Sequence, residues 1–258
     1  MKNETMAALI AACSLVAACG GNDTAAPPPP PPAAQSFNYY PPALGETAIW
    51  SRTLTDSLGT SVAMQIRRHV TAANDSGGVE FTYDDPTATD VVEDGITFRT
   101  TPEVAEVDAN GSTTTYTNTN VDGTQITCTY GAATSSAGVA RQLAAQALRH
   151  AESFVRIGDS WTSTYTITCG NGTPVTYTSN AAVEPLEGVT VPAGTFQAVK
   201  EIVNVSYTVG NVQYANGETL WRDPAHSLTS VKLDISYARS DSSAPYVTHE
   251  TRELLSLQ

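Results

Sequence analysis

Basic residues are scarce in this 258-residue chain. Thirteen Lys and Arg stand against 26 Asp and Glu, a formal charge of −13. That balance excludes a nucleic-acid binder, whose phosphate partner demands basic patches, and a polybasic membrane-surface protein. Long apolar runs are missing too: Met6–Ala18 is the longest stretch of that kind and falls short of the roughly 20 residues a membrane-spanning helix needs. Metal-ligand spacings are also absent. His69 falls on a polar row, His150 edges a helical stripe, His226 follows Pro224 in a turn, and His249 stands in "THETRE" without a second histidine. No Gly-x-Ser-x-Gly elbow occurs. The acidic run Tyr83 to Gly95, "YDDPTATDVVEDG", departs from EF-hand spacing and reads as a solvated loop. No catalytic residue, metal ligand or cofactor is expected, so the chain reads as a non-enzyme. Arg67, Arg68 and Arg99 are the candidates for meeting an anionic ligand, and the plainer reading turns them to water.

What is present begins at the amino terminus. Met1–Glu4 is polar with one lysine, and Met6–Ala18 suits the apolar segment of a secretory signal. The segment ends in Val16-Ala17-Ala18-Cys19, a branched-small-small-Cys order that resembles the lipobox of bacterial signal-peptidase-II substrates. The resemblance implies diacylglycerol on the Cys19 thiol, cleavage before it, and acylation of the new amino terminus. One acyl chain binds a membrane only marginally, whereas several anchor stably. Ile10-Ala11-Ala12-Cys13 fits the pattern loosely, but cleavage there would leave an apolar segment of only about seven residues. Gly20, rather than Asp, follows the cysteine; by analogy with enterobacterial sorting this implies the outer membrane. Next comes "GNDTAAPPPPPPAAQS", Gly21–Ser36, whose six consecutive prolines favour an extended, semi-rigid spacer. The expected organisation is a signal over 1–18, a lipidated tether over 19–36, and one β-rich domain over 37–258.

That domain is dense in Thr, Val and Tyr, with hairpin punctuation at Asp122-Gly123, Gly170-Asn171-Gly172, Gly210-Asn211 and Asn216-Gly217. Period-two alternation sets Trp161, Ser163, Tyr165, Ile167 and Cys169 on one face against a threonine row. It likewise sets Val231, Leu233, Ile235 and Tyr237 against Lys232, Asp234 and Ser236. One buried and one wet face mark antiparallel sheet. Ser136–Phe154 breaks the rhythm: Val139, Leu143, Ala147, Ala151 and Phe154 form a helical stripe. The expected fold is mainly β, a curved antiparallel sheet or half-barrel with this helix packed on its concave side. Two stretches that flank the helix, Leu44–Val62 and Ile157–Val175, share a branched-Gly-acid-hydroxyl start, a Trp and a Thr-rich strand. They suggest two related β-halves, or else two generic strand starts.

Val189–Val209, "VTVPAGTFQAVKEIVNVSYTV", followed by "ETLWRDPAHSLTSVKLDISY" and "TRELLSL", resembles the carboxy-terminal part of an uncharacterised group of bacterial envelope proteins. The resemblance implies a curved sheet similar to that of lipoprotein carriers and brings no activity with it. From the residues themselves, Pro192 and Gly194 make a corner, and Val199, Val203, Val205 and Val209 form a core-facing row. Two of the four cysteines lie in the signal. The other two, Cys128 and Cys169, sit on the apolar rows of "TQITCTY" and "TYTITCG" and are expected to form an inward disulfide in an oxidising compartment. Function is then expected to be that of a cell-envelope lipoprotein, held at the membrane by its lipid and displaying a structural or interaction domain to an envelope protein. The alternative is a binding module for an apolar or amphipathic ligand. It needs an unfilled apolar cavity larger than a few hundred cubic ångströms, where the first reading expects a core filled by Trp50, Trp161, Trp221 and the helix.

Overall fold

Threonine- and valine-rich segments separated by glycine turns build the structure almost entirely from strands. The computed structural model describes residues 35–84, 90–93, 96–99, 103–109, 112–119, 123–131, 134–135, 154–241 and 245–258. Its strands are β1 (Ser36–Asn38), β2 (Thr47–Asp56), β3 (Ser61–Ala73), β4 (Val79–Asp84), β5 (Asp90–Glu93) and β6 (Ile96–Arg99). Then come β7 (Glu103–Val107), β8 (Thr113–Thr119), β9 (Gln125–Tyr130), β10 (Thr134–Ser135), β11 (Phe154–Arg156) and β12 (Ser160–Cys169). The last are β13 (Val175–Val191), β14 (Gly194–Val209), β15 (Val212–Asp223), β16 (Thr229–Arg239) and β17 (Val247–Leu257).

Twelve strands close an antiparallel ring in the order β12-β13-β14-β15-β16-β17-β2-β3-β4-β7-β8-β9, with β9 returning to β12. The half-barrel expected from the sequence is therefore a closed barrel. Closure satisfies the two rows of edge amides and carbonyls that an open sheet would leave unpaired. The ring consists of two meanders, one from β2 to β9 and one from β12 to β17, joined where the last strand, β17, pairs with β2. Each meander opens on the same backbone exchange. Gly45 donates to Val70 O while Val70 donates to Glu46 O; Gly158 donates to Val183 O while Val183 donates to Asp159 O. Both glycines have φ of 86°, a conformation that disfavours any side chain.

The closing ladder is short. It contains three residue pairs, Ile167↔Tyr130, Thr168↔Thr129 and Cys169↔Cys128, after which Gly131 N donates to Thr166 O and β10 continues along the same edge. A Cβ on Gly131 would come within 2.4 Å of Thr166 Oγ1, so any larger residue there would have to displace that hydroxyl. Cys128 and Cys169 form a disulfide across this ladder, with Cα atoms 3.9 Å apart. The expected pairing is present, but its surroundings differ from the expectation. Cys169 is exposed and Cys128 half-buried, because the inward row has run past the core to the rim.

Alternation sorts the remaining side chains. Trp50, Leu54, Trp161, Tyr165, Val199, Val203, Val205, Val231, Leu233, Ile235 and Leu254 are buried, while Thr162, Thr164, Thr166, Thr168, Lys232 and Asp234 lie on the opposite row. A membrane barrel needs an apolar outer belt; this outer row is threonine, serine and charge. Two expectations about packing change. Val209 is 48% exposed beside the β14–β15 turn rather than in the core. Plain alternation between inward Leu220 and Arg222 puts Trp221 on the outer row opposite Lys232, where its indole donates to Glu187 and lies near the Lys200 and Lys232 ammonium groups. The expected helix falls outside the described residues except at Phe154, where the chain is already strand. The Val191–Gly194 corner is structural, as its sequence suggested: β13 ends there, β14 begins, and Ala193 N donates to Leu254 O at 3.0 Å. Before β2, the strap around β1 pairs with β11 and packs Phe37 and Tyr39 on the core.

Candidate functional site: charged groups in the barrel lumen

The inward rows are not wholly apolar. Register places Arg52 directly opposite Arg252 across β2 and β17, and Glu250 opposite Ile235 across β17 and β16. Two like charges facing each other in a sheet are destabilising unless a counter-charge intervenes. Glu250, 1% exposed, is that counter-charge. Its Oε1 accepts from Arg52 Nε at 2.7 Å and Arg252 Nε at 2.5 Å; its Oε2 accepts from Arg52 Nη2 and the Tyr237 hydroxyl, both at 2.9 Å. Burial opposes ionisation of Glu250, but attraction to Arg252 and Arg52 and their hydrogen bonds overcome it and hold the carboxyl at about 2. Burial first, and then the Glu250 charge, drive the Tyr237 phenol far above its ordinary range.

Two further carboxylates lie on the inward face. Glu201, also 1% exposed, pairs with Arg222 Nε at 3.0 Å, and its Oε1 has no hydrogen-bond partner. Glu218, half-buried, has its carboxyl raised to about 7, chiefly by burial; Arg252 and Arg222 oppose this shift and Glu250 reinforces it. At the strap end, Arg68 pairs with Glu46 at 3.0 Å and lies over the Trp50 and Phe81 rings, 5.4 and 4.6 Å from their centroids.

Because the folded pKa of Glu218 exceeds its unfolded value, the folded state holds a proton that the unfolded state gives up. Stability is therefore expected to fall as pH rises from about 5 to about 8, by up to about 3 kcal/mol. Urea unfolding of wild type and Glu218→Gln across that range checks this. A parallel pH dependence in the two proteins would refute it.

The candidates from sequence are scattered. His69 meets Thr47, His226 meets Asp223 at 2.5 Å, and His249 meets Asp234 at 3.1 Å, each at a separate place. Among the described residues no group of three His, Cys, Asp or Glu could hold a metal. Cys19, His150 and the Arg99 side chain lie outside the description. Arg67 does face outward, on Asp84, but Arg68 is buried rather than turned to water. The acidic run is partly strand rather than loop: it supplies the end of β4 and all of β5, which pairs with β6 just beyond it. Sequence reasoning missed Arg52, Glu201, Glu218, Arg222, Glu250 and Arg252. The signal was a gap: Glu201 interrupts the row Val199, Val203, Val205, and Arg52 interrupts Trp50 and Leu54.

Two concavities stand out. One, of about 170 Å³, lies in the lumen against Arg68, Arg222 and Arg252. The other, about 880 Å³, is an open trough over the ends of β13–β16, bordered by Thr176, Thr178, Ser206, Thr208, Tyr214 and Arg239. Beside it, Tyr165, Tyr177, Tyr207 and Tyr214 form a cross-strand ladder with centroids 5.4, 4.3 and 4.8 Å apart.

No family model and no curated protein matches the chain. Among solved structures it is similar to a Bacteroides fragilis protein described as exported with a YmcC-like fold. That match has 11% identity, a TM-score of 0.45, and covers 86% of this chain and 99% of that one. A Parabacteroides distasonis protein described as a lipoprotein shares 17% identity at a TM-score of 0.44, over 86% and 99% of the two chains. The hypothetical lipoprotein YmcC of Escherichia coli K12 shares 12% identity at 0.37, over 80% and 83%. At these scores the likeness assigns no role to this chain.

Proposed function

We propose that the chain is a lipid-anchored protein of the bacterial cell envelope, held through Cys19 at the outer membrane, whose barrel acts by contact and binding rather than by turnover. The observation that carries this reading is the disulfide across the closing ladder. A barrel seam completed by such a bond suits an oxidising compartment, the destination that the Val16–Cys19 signal addresses. The proline-rich tether then sets the barrel off the membrane, and its threonine-rich outer wall suits water. An apolar ligand inside the sheet has less support, since the lumen is filled by Trp50, Trp161 and ion pairs and its cavity is lined by arginines. Intact-mass measurement of the membrane fraction is expected to show acyl chains on an amino-terminal Cys19, and Cys19→Ala to leave an unlipidated precursor or release the barrel. Wild-type protein found soluble, with another amino-terminal residue, would end this reading.

A further inference from the structure

Three arginines line the lumen cavity, and none of their carboxylate partners does. Glu46, Glu201 and Glu250 hold Arg68, Arg222 and Arg252 from outside the cavity, at 3.0, 3.0 and 2.5 Å. Each arginine carries five N–H donors in a rigid fork, and these pairs occupy only part of each fork. Arg68 is the most telling. It is 9% exposed, its Nη2 serves Glu46 and Thr229, and its Nε has no hydrogen-bond partner. A buried donor left unmet is costly, and here the cation also lies over Trp50 and Phe81, which fixes the fork before any ligand arrives.

The rim adds a second observation. Ser227 and Leu228, both bordering the cavity, are the non-glycine residues of positive φ among the described residues, at 55° and 54°. Such strain persists only where the surroundings over-determine it, and it gathers at ligand sites. Here the strap holds it: the Ser227 hydroxyl donates to Tyr40 O, and the Tyr40 hydroxyl donates to Ala225 O at 2.8 Å.

We propose that this cavity binds a small organic carboxylate, with its carboxylate group on the free edges of the arginine forks and its body against Trp50, Phe81 and Leu233. Guanidinium forks match the planar, two-oxygen geometry of a carboxylate. The aromatic and aliphatic walls favour a carbon skeleton over a bare inorganic anion. The volume equals that of about five or six waters at roughly 30 Å³ each, which admits a ring-sized acid and excludes an acyl chain. This site does not depend on how the protein is anchored.

The test titrates the full-length protein, purified in mild detergent, with sodium benzoate and, separately, with inorganic phosphate, by calorimetry at low salt. Saturable one-site binding of benzoate is expected, weakened at least about tenfold by Arg68→Gln and by Leu233→Phe, which narrows the cavity without touching a guanidinium. A benzoate-soaked crystal should place the carboxylate within hydrogen-bond distance of the Arg68, Arg222 or Arg252 guanidinium group, a readout that needs no variant to fold. Absence of saturation at millimolar benzoate, benzoate located elsewhere, or binding of phosphate alone would each overturn the assignment.

Discussion

Replacing Glu250 with glutamine is expected to lower the unfolding free energy by about 3–5 kcal/mol, the usual cost of breaking a buried ion pair from one side. The carboxylate accepts four hydrogen bonds at a site 1% exposed. Glutamine keeps the shape and one acceptor oxygen but removes the charge, so Arg52 and Arg252 would face each other across β2 and β17 with no counter-charge between them. Arg52→Met is expected to cost less, because Arg252 and Tyr237 remain on Glu250. Acid should reproduce the effect. The folded pKa of Glu250 lies below its unfolded value, so its stabilisation is full above about pH 5 and drains as pH falls toward 2. Urea unfolding near neutral pH and an acid titration of both variants measure this. A Glu250→Gln protein within about 1 kcal/mol of wild type would show that the cluster contributes little.

The acid limb of Glu250 and the alkaline limb of Glu218 run in opposite directions, so wild-type stability is expected to peak in mildly acidic solution. Both carboxylates share Arg252, which is why neither can be altered without shifting the other. Non-additivity between Glu218→Gln and Glu250→Gln is the expected signature of that shared partner.

Much of the barrel was legible in the sequence because alternation is a local property. The rows Trp161–Tyr165 and Val231–Ile235 are buried as their period-two pattern implied, and the Val191–Gly194 corner lies where Pro192 and Gly194 place it. Closure was not legible. It depends on β9 meeting β12 and β17 meeting β2, pairings between strands far apart in the chain that no local pattern encodes. The lumen cluster failed for a different reason. In "THETRELL" charges occupy both rows, Glu250 and Arg252 on one and His249 and Glu253 on the other, so alternation cannot say which row is inside. Only pairing with Leu233 and Ile235 decides it. Trp221 was misplaced because its size suggested the core, whereas its parity between Leu220 and Arg222 turns it outward. The matching stretches at Leu44 and Ile157 were visible as residues, but their shared meaning, a glycine-acid pair that opens a meander by donating to and accepting from one valine, appears only in three dimensions.

Removing the Cys128–Cys169 bond is expected to cost about 3–4 kcal/mol and to open the barrel at one place. The bond closes a 41-residue separation, for which the loop-entropy model gives roughly that figure. Its position adds a consequence that loop length alone does not carry. Every other junction of the ring has four or more residue pairs; β9 to β12 has three, and the disulfide joins the last of them. Without it, the two sides of the seam are held by those pairs, by Gly131 and by the two residues of β10. A Cys128→Ala, Cys169→Ala double variant should therefore show a lowered urea midpoint. It should also show hydrogen exchange that accelerates first at Thr129, Tyr130 and Ile167, while the long β13–β14 and β14–β15 ladders keep their protection. Uniform acceleration across the barrel would place the bond's effect in the unfolded chain alone, and an unchanged midpoint would remove it from the stability of the fold altogether.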